Sequence, residues 1–255
     1  MKFKFLNTVF AGLLISTSCL VSVANAGLIN TLFFGADDSL AAVKADILGS
    51  DARFNHASSS YAYAGQASNL AYLQSFDSIL FWTNYGAAAQ NYGLLKQYVD
   101  TGGLVVLGTF NSQSNSGTGI NMPGYNPITG SSGAYSSVSL GVFDNTSQLF
   151  AGVNMLSSTD YNSDGLGVDT GATLVGSWNN GDPLVAINAN KNVIGVSLFP
   201  NVAQYGHASG DYRTLFANAL AYSPSQVTAV PEPSTLAIFA LGLIGLASRR
   251  FKKQS

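Results

Sequence analysis

Three short runs without polar alternation most constrain what this chain can fold into: Leu28 to Phe34, Ser78 to Thr83 and Leu104 to Leu107. A strand that is apolar on both faces must be covered on both, which is the position of a central strand in a parallel sheet packed between helices. Helical spacing lies between and beyond these runs. Leu40, Val43, Ile47 and Leu48 follow the first, behind Asp37, Asp38 and Ser39, where an N-cap is wanted. Tyr92, Leu95 and Val99 share one face of a helix expected over 86–99, which Gly102 and Gly103 stop, and a closing helix over 211–222 turns Tyr212, Leu215, Phe216, Ala219 and Leu220 inward. Shorter apolar runs at 173–175, 184–187 and 193–199 read as further strands. The alternation predicts an α/β fold, a mainly parallel sheet flanked by helices, in a single domain over 27–224. Setting aside the two ends of the 255-residue chain leaves about 200 residues, the size of one such domain.

The two ends have a different character. Lys2 and Lys4 precede apolar runs at 10–15 and 20–23, and Ala24 and Ala26 supply the small residues a signal peptidase reads. Residues 1–26 therefore read as a secretory leader cleaved after Ala26. A linker over 225–229 leads to Pro231, Glu232 and Pro233, then an apolar run from Leu236 to Ala247, then Arg249, Arg250, Lys252 and Lys253. The prolines fix φ and deny the backbone a helical start, so an extended, protease-accessible segment is expected there. A transmembrane helix over 234–248 would span about 22 Å, short of a hydrocarbon core of about 30 Å, with the arginines snorkelling across part of the difference. The basic cluster prefers the cytoplasmic side and so places the body outside.

This order of parts resembles the PEP-CTERM family of sorting tails, which exosortases process in Gram-negative bacteria that make exopolysaccharide. The resemblance implies a sorting signal over 230–255 with Pro231, Glu232, Pro233, Arg249 and Arg250 as its motif residues. It implies a protein exported through the inner membrane, anchored there, and passed to the cell surface or extracellular matrix. Exosortase and the membrane would be its partners during sorting, with exopolysaccharide a further partner outside.

Charged residues make up only 9% of the chain, against the roughly 25% of an average soluble protein. Between Gly27 and Ala229, five Lys and Arg face twelve Asp, a net charge of −7. An acidic body without a basic patch argues against a nucleic-acid partner, because that binding is driven by phosphate neutralisation. The single cysteine, Cys19, lies in the leader, so thiol chemistry is not expected in the mature protein.

The runs 76–84, 98–108, 193–201 and 212–223 together resemble the class I glutamine amidotransferase-like superfold, including its ThuA-like branch, a flavodoxin-like arrangement. Enzymes of that superfold place a Cys on a sharp turn after a central strand, with partners from a His-Pro-Glu run. Here the corresponding stretches read Gly108-Thr109-Phe110-Asn111 and Phe199-Pro200-Asn201. The resemblance thus implies that all three catalytic positions are lost and that no catalytic residue remains.

The Gly-x-Ser-x-Gly elbow of a serine hydrolase does not occur in the chain, and His56 and His207 are the only histidines. His207 with Asp211 stands for a hydrolase alternative, against a surface or capping role. Asp160, Asn162 and Asp164, followed by Gly165, match the first half of a calcium loop, yet position 12 is Gly171 where a bidentate carboxylate is wanted. A turn rich in Asp, Asn and Gly forms the same way without metal, so no cofactor is expected and calcium is the one ion left open. The uncharged segment 111–137 reads as a long loop or irregular insertion. Its Tyr125, Asn126 and Tyr135 would suit sugar hydroxyls in a carbohydrate-binding surface module, and a solvated loop accounts for the same composition.

Overall fold

The computed structural model describes residues 27–36, 39–63, 66, 69–83, 89–110, 118–130, 136–160, 165–200 and 207–223. The three doubly apolar runs become the centre of a sheet. Strands β1 (Thr31–Ala36), β3 (Ser78–Thr83) and β4 (Leu104–Leu107) pair in parallel in the order β1-β3-β4. An edge strand β2 (Ser60–Tyr63) pairs parallel to β1. β1 begins at Thr31 rather than Leu28, and Ile29 forms an isolated bridge to Phe54.

Alternation along these strands builds two cores. Leu32, Phe34, Ile79, Phe81, Val105 and Leu107 meet one face, where helix α3 (Ala89–Asp100) contributes Tyr92, Leu95, Tyr98 and Val99 and helix α2 (Leu70–Leu73) contributes Leu73. Phe33, Leu80, Trp82 and Val106 meet the other, under α1 (Leu40–Leu48) and α4 (Tyr212–Leu220). The result is a helix–sheet–helix sandwich, the packing a doubly apolar sheet requires. α1 and α4 are joined by charge as well as by apolar contact, since Asp46 accepts from Arg213 Nε at 2.6 Å and from the Tyr212 hydroxyl at 2.7 Å. Ser39 holds the N-cap position of α1 without a side-chain cap bond, and Asp37 and Asp38 lie outside the described residues.

The sheet is larger and more mixed than the periodicity suggests. β11 (Val193–Val196) lies parallel to β4, and beyond it β10 (Pro183–Ile187), β9 (Thr173–Trp178), β6 (Val138–Phe143), β7 (Leu156–Ser158) and β12 (Ala208–Gly210) continue antiparallel. The parallel half is as expected. The antiparallel half is underestimated, because strands such as Ala208–Gly210 carry too few apolar residues to show a period. Likewise the uncharged insertion is not wholly loop. A 3₁₀ turn over Gly119–Asn121 packs on α3, and β5 (Ile128–Gly130) pairs antiparallel with β8 (Leu166–Val168), burying Ile120 and Ile128 completely.

Among the described residues no helix is long and apolar enough to cross a membrane. The leader with Ala24 and Ala26, the sorting residues Pro231, Glu232, Pro233, Arg249 and Arg250, and the transmembrane helix expected over 234–248 lie outside the described residues.

Candidate functional site

Ligands of open α/β sheets sit beyond the carboxyl ends of the parallel strands. At that crest the chain leaving β4 is laced between its neighbours. Gly108 N donates to Phe81 O at 2.9 Å, Thr109 N to Leu198 O at 3.2 Å, and Phe110 N to Thr83 O at 3.3 Å. The residue types are dictated by proximity. A Cβ on Gly108 would stand 3.1 Å from Pro200 Cδ and 3.3 Å from Trp82 Cβ, so Gly108 and Pro200 meet in space. Thr109 is fully buried, and its Oγ1 has no hydrogen-bond partner among the described residues. The Phe110 and Phe199 rings pack with centroids 5.8 Å apart.

A hydroxyl becomes a nucleophile only beside a base. Among the described residues packed at this turn, Trp82, Phe110, Phe199 and Pro200 carry no titratable side chain. Asn111 and Asn201, which continue the two stretches, lie outside the described residues.

His207 and Asp211 are placed elsewhere. The His207 carbonyl accepts from Thr159 N at 2.8 Å just ahead of β12, and in sheet order β7, β6, β9 and β10 stand between β12 and β11. Asp211 precedes α4, and its Oδ2 accepts from the backbone amides of Asn154 at 2.8 Å and Met155 at 3.0 Å. Those two donors hold its carboxyl below the usual carboxylate range. Asp211 is thus engaged in fastening the 154–155 segment to the start of α4.

Of the three calcium candidates, Asp160 is described, whereas Asn162 and Asp164 lie outside the described residues. Asp169, which follows them, is taken up by Gly124 N at 2.6 Å. Among the described residues no three His, Cys, Asp or Glu side chains group as a metal site would require.

The sugar-loop candidates are also engaged inside the fold. Tyr125 donates to Asp100 Oδ1 at 2.6 Å, and its ring lies 4.7 Å from Lys96 Nζ. Asn126 is buried, accepts from Ile128 N at 3.2 Å and donates to Asn121 Oδ1 at 3.4 Å. Tyr125 ties the 118–130 segment to α3 and stays half-buried, whereas Asn126 ties the segment to itself and is withdrawn from solvent. Tyr135 lies outside the described residues.

A feature not anticipated from sequence lies at the opposite pole. A cavity of about 540 Å³ opens at the amino ends of β1, β3, β4 and β11, lined among others by Asn30, Asp77, Leu104, Lys191 and Asn192. Gly27 and Ser223, the first and last described residues, both line it. The only signal in sequence is the polar turn Asn188-Ala189-Asn190-Lys191-Asn192, in which Lys191 takes a left-handed φ of 59°.

Comparisons with known proteins agree with this organisation. A family model described as the PEP-CTERM protein-sorting motif matches residues 229–253. No curated protein matches the chain in sequence. Among solved structures, a ThuA-like protein from Bacteroides uniformis superposes with a TM-score of 0.53 at 11% identity, covering 78% of this chain and 93% of that one. PurLQS from Thermotoga maritima gives a TM-score of 0.51 at 14% identity, covering 76% and 99%. A glutamine amidotransferase from Thermotoga maritima gives 0.47 at 10% identity, covering 71% and 83%. At such identities the likeness concerns the fold alone. The chain therefore carries a PEP-CTERM protein-sorting motif at residues 229–253, behind an α/β domain of ThuA-like fold.

Proposed function

We propose that this is an exported protein, sorted by an exosortase to the surface or the extracellular matrix of a Gram-negative cell, where its α/β domain acts without catalysis. The sorting motif carries the reading, and the leader at the other end is consistent with it. The non-catalytic part is supported by the crest turn after β4, whose Thr109 is fully buried and whose Phe110 ring packs on Phe199. Exopolysaccharide is the proposed partner outside the cell, since a surface poor in charge and rich in Ser, Asn, Thr and Gln offers hydrogen bonds to neutral hydroxyls.

The test is fractionation in a host that has the matching exosortase. The wild-type chain is expected outside the inner membrane, beginning at Gly27 and lacking the apolar tail. Replacing Pro231 and Glu232 by Ala is expected to trap a tailed form in membranes. A cytoplasmic wild-type protein that keeps residues 1–26 would overturn the sorting reading. Turnover of an ester or amide substrate that disappears in His207→Ala would overturn the non-catalytic one.

A further inference from the structure

We infer that the membrane-held protein stands with the amino pole of its sheet facing the lipid headgroups and its carboxyl-end crest facing away. The inference rests on the proposed reading that the tail holds the chain in a bilayer, and adds the orientation that the fold then imposes.

The parallel strands all run from one pole to the other. Asn30, Asp77, Gly102 and Asn192 stand just before β1, β3, β4 and β11 and mark the amino pole. α4 returns against the strand direction, so Ser223 emerges at that same pole, lining one cavity with Gly27. Both chain ends therefore leave the domain on one side.

The tether is short relative to the body. Residues 224–233 lie between Ser223 and the expected start of the apolar helix. About ten residues reach at most ~36 Å when fully extended. A domain of about 200 residues has a radius of gyration of about 16 Å, hence a diameter near 42 Å as a sphere. Placing the crest on the membrane would lift Ser223 a full diameter above it, farther than the tether extends. The domain can tilt but not invert. The amino pole also carries side chains suited to a headgroup layer, since Leu28 is 55% exposed and Lys191 is an exposed cation at the cavity rim.

The chain's own composition makes the test clean, because Cys19 lies in the leader and an introduced cysteine is the only thiol of the exported protein. A fluorophore is attached at Lys191→Cys or Leu28→Cys on the amino pole, or at Tyr63→Cys, which ends β2 on the crest side and is 36% exposed. Each variant, retaining its tail, is reconstituted in phosphatidylcholine vesicles with nitroxide-labelled headgroups, after thermal melts confirm wild-type folding. Both amino-pole probes are expected to be quenched several-fold more than the Tyr63 probe. Equal quenching, or stronger quenching at Tyr63, in protein that floats with the vesicles overturns the orientation while leaving the anchor intact. Failure to float overturns the tail reading and the orientation with it.

Discussion

Asn188 is 3% exposed, and its Oδ1 accepts from Asn192 N at 3.0 Å and Val193 N at 2.9 Å, closing the β10–β11 turn. Asn192 in turn donates from Nδ2 to Val99 O at 2.9 Å, tying that turn to α3. Such uncharged ties replace ion pairs in a body with few basic residues. The same is true of Asp211, whose partners are backbone amides. Its folded-state pKa is depressed, so its contribution to stability is present above the ordinary carboxylate range and is lost as pH falls through the folded value. Asp211→Asn is therefore expected to lower the melting temperature at neutral pH and to flatten its acid loss, measured by melts between about pH 7 and pH 2. A wild-type acid slope in the variant would contradict this. The candidate residues were legible as types and not as roles. Tyr125 and Asp211 look like ligands when read one at a time, because a sequence does not show that their partners lie 25 and 57 positions away.

Among the elements, the doubly apolar strands and the helices at 40–48 and 212–220 were readable from periodicity, since burial on fixed faces imposes it. The strands over Val138–Phe143 and Ala208–Gly210 were not, because their place is set by pairing with neighbours rather than by their own apolar content. The turn over Gly119–Asn121 belongs to the same class. A Cβ on Gly119, at φ 55°, would lie 2.2 Å from the Tyr92 backbone carbonyl carbon, so this turn touches α3 backbone to backbone. Gly119→Ala is expected to cost about 2–4 kcal/mol in urea unfolding, from the clash and the strained φ together. A change within 0.5 kcal/mol or so would show that the turn can move away from α3 freely.

For the whole molecule, the core closes at α4, whose Leu215, Phe216, Ala219 and Leu220 are buried. A chain truncated after Thr228 is therefore expected to unfold with the cooperativity and midpoint of the longer form, followed by circular dichroism, while losing its association with membranes. Loss of the folded state would instead make Leu236 to Ala247 part of the core. The sorting motif and the alternation of elements were determined by sequence alone, because a sorting tail is read as an ordered string of residues and apolar periodicity is a property of contiguous chain. Tertiary structure alone decided that Thr109 is buried with its amide on the Leu198 carbonyl, and that Gly27 and Ser223 share one pole. Both depend on which strands become neighbours. That choice is made by the summed burial of many faces at once, and no local stretch encodes it.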